Sequence, residues 1–181
     1  MSGNRGHYDV VAVDFGRVLQ AVRDDQWDLG TPCVEWTVRQ LACHVIETHR
    51  RALALLYQSA FEEVGNHEVG VAWSKASSRV REACDDPVLA SRTVSGLGRD
   101  QTFQSLVAGL LTFDTLSHTW DLARSIGADE TLNPLAVAYA HDALRPFSDA
   151  LRGPGGYGPA LVPDADATPQ TRFLNFTGRR V

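Results

Sequence analysis

A carboxylate and an imidazole, two groups that bind metals well together, stand four residues apart at Asp114 and His118, and a second carboxylate follows at Asp121. On a helix, side chains four apart lie one turn above the other, so both can reach a single ion. Drawn as a helix at about 100° per residue with Phe103 at zero, this stretch gathers Leu106, Val107, Leu110, Leu111 and Phe113 around zero. Asp114 then falls at about 20°, His118 at about 60° and Asp121 at about 0°, all on the apolar side. A carboxylate left unpaired in an apolar interior is costly, so this placement asks for a cation, a metal or a set of hydrogen bonds. Spacing alone leaves two answers open. One is a shared metal; the other is a hydrogen-bonded Asp–His pair, or a salt bridge to an arginine such as Arg17 or Arg39.

A metal would need a further ligand from a facing helix, and His44 and His49 both offer one. His49 lies nearer the centre of its apolar stripe and His44 on the flank; flanks, however, face neighbouring helices in a bundle.

These residues need long helices to position them, and the helical period dominates the chain. Tyr8, Val11, Phe15, Val18, Leu19 and Val22 recur in three- and four-residue steps and predict a first helix. A turn-like passage from Trp27 to Trp36 leads to Thr37 and Gln40, spaced as a capping box, and a second helix runs from there to about Ala60. Val69, Trp73, Ala76, Val80 and Cys84 outline a third, which stops before Pro87. After an irregular link, a fourth is expected from about Arg99 to Ile126, with Gly127 as its C-cap. Asn133-Pro134 opens a fifth that buries Leu135, Val137, Leu144 and Phe147 and is kinked at Pro146. Thr168-Pro169 starts a short final piece through Phe173, Leu174 and Phe176 that ends at Gly178. With no alternating strand pattern, the expected fold is all-α: an antiparallel four-helix bundle with a short extra C-terminal helical segment, one domain over residues 1–181.

Apolar residues make up 44% of the chain and charged residues 22%, as in globular proteins, and 17 Lys+Arg against 22 Asp+Glu leave a net charge of -5. That balance argues against nucleic acid as a partner. No stretch is apolar for long enough to cross a bilayer, and Met1 to Tyr8 lacks the apolar core of a secretory signal, so the expectation is a cytoplasmic protein with no membrane partner. Cys33, Cys43 and Cys84 contain no Cys-x-x-Cys pair and read as reduced, buried thiols rather than a disulfide framework or a thiolate zinc site.

The string Thr31-Pro32-Cys33-Val34-Glu35-Trp36-Thr37-Val38-Arg39-Gln40-Leu41, followed by His44-Val45, resembles the opening motif of actinobacterial proteins related to the N-terminal domain of mycothiol-dependent maleylpyruvate isomerase. Those domains belong to the DinB-like superfamily of metal-binding four-helix bundles. The resemblance continues in Asp114, in His118-Thr119-Trp120-Asp121-Leu122-Ala123-Arg124, and in Gly178-Arg179-Arg180, nearly the whole chain. It implies His44 as the first metal ligand, in preference to His49, with Asp114 and His118 as the other two. The isomerase has an additional C-terminal domain for which this chain is expected to have no room, so isomerase activity is not carried over.

Two imidazoles and one carboxylate leave a coordination position open, as in catalytic rather than structural zinc sites. The set suits Zn²⁺, with Ni²⁺ or Fe²⁺ also compatible. Asp121 is expected either to orient an imidazole through its free N–H or to pair with an arginine. The function this implies is a metal-dependent thiol transferase or isomerase in which mycothiol adds to a small electrophile. The alternatives are a non-catalytic metal-binding stress or sensor protein, with a homodimer through its helix faces as its partner expectation, and a helical interaction module without metal. A Gly/Pro-rich stretch runs from Gly153 to Pro159.

Overall fold

The computed structural model describes residues 5–61, 63, 69–96, 99–147, 152 and 156–181. The long helices are α1 (Arg5–Gln20), α2 (Val38–Tyr57), α3 (Val69–Asp85) and α6 (Thr112–Ile126). Between the last two lie a short α4 (Pro87–Ser91), strands β1 (Thr93–Gly96) and β2 (Arg99–Thr102), a single turn α5 (Phe103–Leu106) and a π turn over Val107–Leu111. Helices α7 (Pro134–Leu144) and α8 (Pro169–Phe176) complete the chain. The protein is therefore the all-helical bundle expected, with one small β-hairpin added.

α1 packs against α3 and α6, and α2 packs against the same two helices, so α1 and α2 occupy opposite corners of a four-helix bundle. Its core holds Phe15, Val18, Leu41, Ile46, Leu56, Val80, Phe103 and Leu122, all but sealed from solvent. A second apolar cluster joins Phe113, Leu116 and Trp120 of α6 to Val137, Ala140 and Leu144 of α7 and to Phe173 and Leu174 of α8. α6 is consequently buried almost all round, by the bundle on one side and by α7 on the other.

Local signals set most boundaries. The Thr37 hydroxyl accepts from the Gln40 N–H at 3.3 Å while the Gln40 side chain accepts from the Thr37 N–H at 2.9 Å, the expected capping box. Asn133 and Thr168 cap α7 and α8, each with proline at the next position, and Gly127 ends α6 at φ 68°.

Four expectations need correcting. α2 ends at Tyr57 rather than near Ala60, because Gln58 turns into the left-handed region and returns its N–H to the Ala54 carbonyl. The helix that carries Asp114 and His118 does not begin at Arg99: residues 99–102 pair antiparallel with 93–96, and the Thr102 hydroxyl then caps α5 by accepting from the Ser105 N–H. Pro146 does not kink a continuing helix; α7 stops at Leu144 and the chain tightens into a 3₁₀ turn, since proline lacks the N–H a further α turn needs. Leu135 is 70% exposed on the outer face of α7 rather than buried. The Phe147 side chain and residues 153–155 lie outside the described residues.

Candidate metal centre

α2 and α6 meet along one edge of the bundle, and there the structure brings His44, Asp114 and His118 together, with their donor atoms all within 4.8 Å of one another. One Asp114 oxygen, Oδ1, lies 3.3 Å from His44 Nε2 and 3.5 Å from His118 Nε2. The other, Oδ2, is buried and has no hydrogen-bond partner among the described residues. His118 is buried, whereas the His44 side chain is 31% exposed.

His49 goes elsewhere. It is wholly buried, its Nδ1–H donates to the Val45 carbonyl at 2.8 Å, and its ring lies 5.7 Å from Tyr8 and 4.9 Å from Trp73. Burial lowers it to about 4, so it is a neutral core histidine and belongs to neither donor group.

The opposite nitrogen of His118 meets a second set of groups. Its Nδ1–H donates to Asp121 Oδ2 at 2.9 Å. Arg179 grips the same carboxylate with two bonds, Nε to Oδ1 at 3.1 Å and Nη2 to Oδ2 at 2.7 Å. The Cys33 thiol donates to Oδ2 at 3.5 Å and sits 4.0 Å from His118 Nδ1. Asp121 thus orients the imidazole and pairs with an arginine at once, and that arginine is Arg179.

Cys33, Cys43 and Cys84 are free thiols as expected but half-buried rather than buried, and Cys33 is the one that meets this cluster. The loop that carries it is closed by the Thr31 hydroxyl, whose one proton is shared between the carbonyls of Cys33 and Trp36 and whose oxygen accepts from the Cys33 N–H. This closure lays the Trp36 ring 4.4 Å from His44 and 5.7 Å from His118, as one wall of the centre. Sequence reasoning also missed Tyr157, in the Gly/Pro-rich stretch, whose ring lies 5.6 Å from the Arg179 guanidinium. Cys43, next to His44 in sequence, is in neither donor group, as expected from the 100° step between helical neighbours.

Charge distinguishes the two sides of His118. Burial by itself would raise the Asp114 carboxyl, but the His118 and His44 imidazoles outweigh it and hold it well below the usual carboxylate range. Burial would likewise lower His118, and the Asp114 and Asp121 carboxylates overcome this and push it up. Asp114 and His118 thus favour one another's charged forms.

Cys33, His118 and Asp121 also have donor atoms within 4.8 Å of one another, but there Arg179 already neutralises the carboxylate and would repel a second cation. On the Asp114 side no fixed cation is present among its described partners, one carboxylate oxygen is orphaned, and two imidazole nitrogens converge. The residues of that side fit a divalent metal.

Residues 9–93 match the family model of the mycothiol maleylpyruvate isomerase N-terminal domain, a stretch that contains His44 and ends before Asp114. Uncharacterized proteins of Mycobacterium tuberculosis strains CDC 1551 and H37Rv are each 30% identical over 159 residues, covering 78% of this chain and 78% of the relative. No solved structure gives a significant match. No described helix is long and apolar enough to cross a membrane. On the family match and these relatives, the chain belongs to the family of the mycothiol maleylpyruvate isomerase N-terminal domain.

Proposed function

We propose that His44, Asp114 and His118 hold one divalent metal, zinc first and nickel or iron(II) with the same donors, and that the protein brings a low-molecular-weight thiol to a small electrophile there. The observation that carries this reading is the orphaned Oδ2 of Asp114, buried on a carboxylate whose other oxygen faces two imidazole nitrogens. A buried acceptor without a partner costs about 1–3 kcal/mol, and more when charged, so it calls for an explanation. A divalent ion would satisfy it and both imidazoles together. The thiol, mycothiol, comes from the family to which the chain belongs.

When bound, such a metal lowers the pKa of a thiol or water at its open position. The chain's own side chains supply the surroundings. Asp121 holds His118 by Nδ1, which leaves Nε2 directed toward Asp114 and His44. The partly exposed His44 keeps the centre in contact with solvent, and the Trp36 ring offers an apolar wall for a small electrophile. Addition of the thiol followed by transfer or isomerisation fits this arrangement.

The test is metal analysis of protein purified without chelators or an affinity tag, followed by calorimetry of the metal-loaded form against mycothiol and glutathione. Expected are bound metal and a mycothiol heat that vanishes in His118→Ala. Metal without affinity for either thiol would support a non-catalytic stress or sensor protein instead. Absence of metal would remove the site.

A further inference from the structure

Arg179 follows α8, far in sequence from every proposed ligand, yet its guanidinium is buried against Asp121. Its whole residue is fixed. The backbone N–H donates to the Leu174 carbonyl at 2.8 Å, the carbonyl accepts from the Asn175 amide at 3.0 Å, and Nη1 donates to the Thr177 carbonyl at 3.0 Å. Just before it, Gly178 has φ 85° and crosses Gly158 so closely that an added Cβ would stand 3.0 Å from the Gly158 Cα.

We infer that Arg179 is a positioning residue for the metal centre: its fork locks the Asp121 carboxylate, and that carboxylate fixes the His118 imidazole with Nε2 toward His44 and Asp114. The inference rests on the metal reading above. A planar guanidinium bound at both carboxylate oxygens leaves the carboxylate no freedom to turn about its bond to Cβ. Cys33 adds a further contact to Oδ2, and the carboxylate so held keeps His118 by Nδ1. Arg179 also neutralises the Nδ1 side, so a cation is drawn to the Nε2 side alone. A purely structural salt bridge would stabilise the fold and leave metal affinity alone; a positioning role would move affinity through Asp121.

The experiment compares Arg179→Met, Arg179→Lys, Asp121→Asn and the double variant Arg179→Met with Asp121→Asn. Zinc affinity is measured by competition with a chromogenic chelator, and the thermal midpoint of the metal-free protein reports the fold. Partners that orient a ligand histidine contribute about 10–100-fold to metal affinity, and Arg179→Met and Asp121→Asn should each lose on that scale. Arg179→Lys should fall between, because an ammonium cannot reproduce the fork. The double variant should be no weaker than Asp121→Asn alone, since Arg179 acts through that carboxylate.

Unchanged affinity in folded Arg179→Met, or losses that add in the double variant, overturn the inference. If Arg179→Met does not fold because Asp121 is left as a lone buried charge, Arg179→Lys and the double variant decide, as neither has that defect. If the parent protein binds no zinc, the metal reading fails separately. The positioning is then judged in metal-free protein by the His118 Nδ1–H resonance. Slow exchange in the parent and fast exchange in Arg179→Lys support it, and equal protection in both refutes it.

Discussion

Helix α2 carries two histidines five residues apart, and they meet opposite surroundings. His49 is sealed among Tyr8, Trp73 and its own helix, where no carboxylate among the described residues accepts a hydrogen bond from it and burial disfavours its charged form. His44, partly open, faces Asp114 across the seam with α6 under the Trp36 ring. The centre of an apolar stripe selects a residue for burial, whereas the flank, where two helices meet, is where side chains from both converge. His49 satisfies the stripe; His44 reaches the site.

The contrast breaks most sharply on metal binding. His44→Ala and His118→Ala should each abolish metal retention after dialysis, measured by elemental analysis, while far-ultraviolet circular dichroism stays that of the parent. His49→Leu should retain metal at the parental level. Retention in His44→Ala together with loss in His49→Leu would reverse the roles of the two histidines.

Acid should expose the other half of the contrast. The unfolded chain protonates His49 near its ordinary value of 6.5, whereas the folded protein does so only near 4. Between those values the unfolded state binds more protons, so stability falls as pH drops through the window and is lost no further below it. The loss from this residue is on the order of 3 kcal/mol across the window. Asp114 and Arg81 are the charged groups acting on His49, and they oppose one another. His118, raised by its carboxylates, has the opposite sign: its contribution is present below 6.5 and lost as pH rises through its folded value. The difference between parent and His49→Leu in urea-derived stability at pH 6.5 and pH 4 isolates the first effect. Parallel pH dependences in the two proteins would contradict a neutral buried His49.

Much of this was legible in the sequence because it is local. Caps such as Thr37 with Gln40, and Asn133 before Pro134, depend on residues three apart or adjacent, and the structure forms them. The helical wheel reached a correct inward Asp114 for an incomplete reason. The π turn over Val107–Leu111, in which the Thr112 hydroxyl bonds the Val107 carbonyl, adds about one residue to a turn and shifts the phase beyond it by about 100°. Asp114 and His118 still point inward because α6 is enclosed on nearly every side. The hairpin went unseen because Val94 is the one apolar residue of β1 that the core takes. Cys33 and Arg179 stand 85 and 58 residues from their partners on α6, and no periodicity connects such distances.

That distant contact sharpens the comparison at Gly178. Alanine there would be strained at φ 85°, and its Cβ would meet the Gly158 backbone at 3.0–3.1 Å. Gly178→Ala should cost about 1–3 kcal/mol of stability. It should also weaken zinc binding by displacing Arg179, yet leave the acid-induced loss from His49 as it is in the parent. Equal effects on both regions would mean that the two histidine environments are not independent.

The smallest effect is expected at Cys33, and it bears on which face of His118 would hold the proposed metal. A serine hydroxyl can still donate to Asp121 Oδ2, so Cys33→Ser should replace one weak donor by another and change zinc affinity by no more than about tenfold, the scale of one hydrogen bond. The thiol is a ligand only if the ion sits on the Nδ1 side with His118 and Asp121. In that case serine would remove a strong soft donor, and cobalt(II) bound to the parent would show thiolate charge-transfer absorption that the variant lacks. Such a band in the parent, with loss of binding in Cys33→Ser, would leave α2 without a metal ligand and erase the distinction between its two histidines. Its absence, with affinity preserved, keeps the ion on the side where Asp114 has an oxygen to offer.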